Sequence, residues 1–96
     1  MKLFMYSIFD RASGVYDRPF PARSDAEASR SFGDIACDKN HPIGAHPDDF
    51  TLYNIGTYED SKGALEGTDP VKVINGDEAV SMFGKPDDIN SFGGTQ

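Results

Sequence analysis

The chain has 96 residues, 38% of them hydrophobic, and a net charge of −7; it can bury one modest core, and with 7 Phe and 4 Tyr it is too aromatic to be disordered. Its single cysteine, Cys37, excludes an intrachain disulfide and a thiolate metal cluster within one subunit. No run approaches the roughly 18 apolar residues of a membrane span.

Residues 2–10 are almost all apolar, aromatic or β-branched, the pattern of a central strand. Leu3, Met5, Ser7 and Phe9 point to one face and Phe4, Tyr6 and Ile8 to the other, so both faces need covering. No basic leader precedes this strand, and the protein is expected to stay in the cytoplasm where it is made. Turn residues 10–14 should return the chain as an antiparallel partner over residues 15–20, kept short and at an edge by Pro19 and Pro21. Ser24 and Glu27 then form a capping-box pattern ahead of a helix over residues 25–37, with Ala28, Phe32, Ile35 and Ala36 as its buried stripe.

Residues 38–49 are polar and broken by Pro42 and Pro47, which reads as a surface loop. Strand character resumes over residues 50–58, followed by a hairpin loop at residues 59–63 and a weak strand near Ala64 and Leu65. A separate apolar run covers residues 71–74, and Asn75 is placed to cap a short helix over residues 77–82. These elements predict one α+β domain over residues 1–84. It holds an antiparallel sheet of four or five strands, one main helix on one face and a short C-terminal helix. Residues 85–96 read as a flexible tail or partner-binding arm. One helix can cover only one face of the first strand, so a homodimer or higher homo-oligomer is expected to bury the other.

Charge is unevenly placed. The first 30 residues hold all four arginines and carry net +1, while the remaining 66 carry net −8. Any contact with nucleic acid must therefore turn the acidic two-thirds away from it. His41, His46, Asp48 and Asp49 are donors that Zn²⁺ or Mn²⁺ accepts, which would suit a metal-dependent nuclease. Their spacing matches no metal motif, and the prolines point to an ordinary loop. Cys37, near the end of an amphipathic helix, reads as a small buried hydrophobe and not as a nucleophile. Neither catalysis, metal nor cofactor is expected. Tyr6, Tyr16 and Phe20 with Arg11 and Arg18 sit on or beside one hairpin, where rings can stack on unpaired bases and guanidinium groups hold phosphates. The other reading is core packing with solvated arginines. Arg11, Tyr16, Arg18 and Arg23 are the expected nucleic-acid-binding residues, Tyr16 being less suited to the core than Tyr6.

Several stretches together resemble a known family. They are residues 6–10 with Tyr16, the PFPA segment at residues 19–22, a helix from Ser24 containing Arg30 and Phe32, and PDDFTLYNIG at residues 47–56. Over roughly residues 1–80 the chain resembles the small nonstructural protein of gokushoviruses, which are single-stranded DNA phages of the microvirus group. The resemblance implies a nonstructural accessory protein that binds single-stranded DNA and assists genome synthesis or packaging in the host cytoplasm. The other reading is an acidic adaptor or assembly factor that contacts the replication initiator or the procapsid.

Overall fold

Strand β1 (Lys2–Asp10) runs through the middle of a five-stranded antiparallel sheet in the computed structural model, which describes residues 1–84. Two short strands, β2 (Val15–Tyr16) and β3 (Phe20–Ala22), lie along one side of it; β4 (Phe50–Glu59) and then β5 (Ala64–Asn75) lie along the other. Helices α1 (Asp25–Ala36), α2 (Pro42–Ala45) and α3 (Gly76–Phe83) complete an α+β fold of the expected kind. The tail expected over residues 85–96 lies outside the described residues.

The core sits between the sheet and the helices. Tyr6 and Ile8 of β1, Leu52 of β4 and Ile74 of β5 meet Ala28, Phe32 and Ala36 of α1, Ile43 of α2 and Ala79 of α3. Phe32 is fully buried, and burial of a ring of that size contributes roughly 1.5–3 kcal/mol. Small residues line α1 where it meets α3, which lets the two helices approach closely. Gly76, the first residue of α3, runs against the single 3-10 turn Pro47–Asp49; a Cβ there would lie 1.8 Å from the Pro47 carbonyl oxygen.

The returning strand expected over residues 15–20 is split in two. The pairs Phe9↔Tyr16 and Tyr6↔Phe20 differ by one residue in register, so the chain bulges between them. Pro19, which has no N–H to donate, sits in that gap. Pro21 is tolerated opposite Met5 because β3 is an edge. Ser24 caps α1 as expected, accepting from the Glu27 N–H at 3.1 Å, but the Glu27 carboxylate takes the Arg23 N–H instead of closing the box on Ser24. Ile35 is only partly buried, and Ser29 and Gly33 share the buried stripe.

The expected loop at residues 38–49 contains α2 and the 3-10 turn. His41 Nδ1 accepts the Ile43 N–H at 3.1 Å, and Pro42 occupies the first helical position, where its missing N–H costs nothing. The weak strand near Ala64 and the run at residues 71–74 are one twelve-residue strand. Between Gly56↔Gly67 and Asn54↔Val71 the ladder skips residues 68–70, so Pro70 falls in a bulge and the pairing resumes beyond it. Asn75 closes a full capping box with Glu78 at the start of α3.

Candidate nucleic-acid interface

All the helices contribute to the core on the Tyr6 side of the sheet, and among the described residues no element covers the opposite face. The ladder pairs Phe9↔Thr51, Ser7↔Tyr53 and Leu3↔Tyr58↔Leu65 bring these side chains to that open face, as strand alternation requires. Tyr16, opposite Phe9, joins them from β2.

Three rings form a contiguous platform at one end of this face. The Phe9 and Tyr16 centroids are 4.8 Å apart, Tyr16 and Tyr53 5.6 Å, and Phe9 and Tyr53 6.4 Å, with the last two pairs edge-on. Tyr16 is 44% exposed. Beneath the platform Ser7 is buried and donates its hydroxyl to the Asp17 carbonyl at 2.6 Å, which holds the bulge beside β1. Asp17 N–H in turn donates to the Ile8 carbonyl at 2.8 Å, so Arg18 follows directly at the edge of the platform. By register Asp10, Glu59 and Glu66 alternate to the helix side, while Asp69 lies in the β5 bulge without a ladder partner.

The expected site residues therefore separate. Tyr16 is on the platform, and Arg18 is exposed beside it. Arg23, also exposed, precedes α1. Arg11 is drawn away: its guanidinium is 3.1 Å from the Asp49 carboxylate, and its N–H donates to the Asp49 carbonyl. Phe9 and Tyr53 were not singled out by the sequence, although the alternation of each strand, once paired, puts both on the Tyr16 side. Tyr6 belongs to the core, fully buried with its hydroxyl donating to Asp25 at 2.6 Å; burial first, then that bond, pushes the phenol well above its ordinary pKa.

Charge elsewhere is spent on structure. The Met1 ammonium meets Glu59 and Asp60, raising the amine pKa through the bonds to Asp60 and Glu59 and holding the Glu59 carboxyl down at about 2. Glu78 is lowered by the Asn75 N–H and by Lys72, whose ammonium is 3.5 Å away. His41 is committed to capping α2, and among the described residues no three of His, Cys, Asp and Glu converge as metal donors. No helix among these residues is long and apolar enough to cross a membrane.

The chain matches the Phage ORF5 protein family over residues 3–79, from the second residue of β1 into α3. It belongs to that phage protein family. No curated protein and no solved structure matches it. The matched span of this ORF5 protein contains all of the sheet but Lys2, including the platform and the bulge that precedes Phe20.

Proposed function

We propose that this phage protein binds single-stranded DNA on the open face of its sheet and thereby assists synthesis or packaging of a single-stranded genome in the host cytoplasm, as its resemblance to the gokushovirus nonstructural protein implies. The observation that supports this reading most is the Phe9, Tyr16 and Tyr53 ring platform, with Tyr16 44% exposed and Phe9 and Tyr53 half-buried, on the face of the sheet that no helix among the described residues covers. Unpaired bases stack on such rings without regard to sequence, whereas a duplex keeps its bases stacked on one another. Arg18, two residues after Tyr16, supplies a phosphate contact beside the platform, Arg23 supplies one further along the strand toward the Leu3 end of β1, and Arg11 joins them if its exposed pair with Asp49 opens.

Titration of labelled single-stranded and double-stranded oligonucleotides at two salt concentrations tests this. Single strands should bind more tightly, with a slope of log affinity against log salt near −2 for three contacts at about −0.7 each. Arg18→Ala should reduce that slope by about 0.7. Equal binding of both forms, or none, overturns the reading. The adaptor reading, with phage replication or capsid proteins as partners, is favoured instead by the acidic helix side. There Asp25 and Glu27 border a groove between α1 and α3 beside the exposed Met82.

A further inference from the structure

We propose that Lys72 of β5 is a further phosphate-binding residue, and that single-stranded DNA crosses the sheet from Arg18 to Lys72, at right angles to the strands. This rests on the DNA-binding reading above and assigns the path of the ligand over the same site. Arg11, Arg18 and Arg23 all lie beside β2 and β3, on one border of the sheet. Alone they would suit a strand that follows this border with its bases turned inward onto the rings.

The opposite border is β5, and Lys72 is the single basic residue within β4 and β5. The ladder sets Lys72 directly across from Tyr53, which is in edge contact with Tyr16. Cβ atoms so opposed are about 4.5–5.5 Å apart, so the Lys72 stem starts beside the Tyr53 ring. A shift in register makes this pairing. Leu52 takes Ile74 and Tyr53 takes Lys72, which leaves Val73 over, and Val73 packs against the core. Without the extra residue Tyr53 would face Val73, and this border of the platform would be apolar; re-aiming a side chain is what such a bulge does.

The Lys72 ammonium pairs with Glu78 at 3.5 Å, but the two side chains are 52% and 55% exposed, and an ion pair so open to water is worth little. It can give way to a phosphate. Asp69, in the bulge at residues 68–70, lies beyond Val71 and away from the rings. From β2 to β5 the sheet measures three interstrand spacings, roughly 14 Å. A four-stranded sheet with exposed rings stacks about two or three bases in this manner. Phosphates at both borders then bracket the bases on Tyr16, Phe9 and Tyr53, and Lys72 takes the place in the contact count that Arg11 vacates while it stays with Asp49. A lysine on an outermost strand also deters pairing with other chains, a role that would leave it indifferent to DNA.

Fluorescence anisotropy of a labelled oligothymidylate titrated with the full chain over a range of salt tests this. Lys72→Gln should weaken binding and reduce the salt slope by about 0.7. Glu78→Gln, which still offers an oxygen to the Asn75 N–H, should tighten binding by freeing Lys72, and that gain should vanish in the double variant. Asp77→Asn removes the same charge one residue away, and its smaller effect should not depend on Lys72. Thermal melts check that these exposed substitutions leave the fold intact. A Lys72→Gln slope equal to that of the wild type, while Tyr53→Ala still weakens binding, overturns the crossing path and leaves the DNA reading standing. So does a Glu78→Gln gain that survives in the double variant. Absence of binding by the wild-type chain overturns both.

Discussion

The two faces of β1 carry much the same kinds of residue and have opposite fates. On one, Tyr6 is fully buried beneath α1 and its hydroxyl is tied to Asp25; on the other, Phe9 and Tyr16 meet at a tilt of 51° where no element among the described residues folds over them. Apolar character alone therefore does not decide what enters a core. The chain has enough helix to cover one face of its sheet, and alternation along the strands assigns each aromatic ring to stability or to the surface.

The sharpest way to break this contrast is to truncate a ring on each side. Phe32→Ala, on the helix side, should cost about 3–5 kcal/mol, enough to unfold much of a domain this small, as circular dichroism would show. Gly76→Ala should follow, since its methyl must displace α3 from the Pro47 carbonyl; a loss of about 1–3 kcal/mol is expected in chemical denaturation.

Tyr53→Ala, on the open face, should instead leave the melting temperature nearly unchanged and weaken single-stranded DNA binding by about 1–3 kcal/mol, read by fluorescence anisotropy; Tyr16→Ala should behave alike. Tyr6→Phe removes only a hydroxyl, and its cost should be about 1–2 kcal/mol because the Asp25 carboxylate keeps access to water. In an alkaline absorbance titration Tyr6 should ionise only as the protein unfolds.

The smallest effect concerns the exposed pair of Met1 and Glu59. Glu59 is held at about pKa 2, below its unfolded value, so its contribution is present above the unfolded pKa and lost as pH falls toward 2. The Met1 amine is raised, so its contribution is full below its unfolded pKa and lost as pH rises through the folded one. Carboxyl carbon shifts across an acid titration should show Glu59 titrating near pH 2, and acetylation of the amine should move it back toward an ordinary carboxylate.

Elements with a clear period were legible before the structure. The strands β1 and β4 show it, and α1 and α3 add side-chain caps at Ser24 and Asn75. Helix α2 was not legible, because four residues of the sequence Pro-Ile-Gly-Ala hold no helical period and their cap is a histidine ring. Strand β5 was hidden by Gly67, Asp69 and Pro70, which look like breakers until the bulge in the ladder accommodates them. For the site, Tyr16 could be chosen from its place after the turn. Its partner Tyr53 depends on the register between β1 and β4, a pairing across more than forty residues that no local pattern encodes. The Arg11 ion pair with Asp49 is likewise a product of tertiary approach.

That distant pairing bears on how the chain is made. While a ribosome is still adding residues, β1 can find only β2 and β3, whose turn and bulge are local; β4 begins at Phe50 and must clear the exit tunnel first. At about 5–20 residues per second, the edge of β1 that β4 will pair waits several seconds unpartnered. Nascent chains arrested before β4 emerges should therefore expose Leu3 to Phe9 to crosslinking or chaperone capture, and chains arrested after β5 emerges should not.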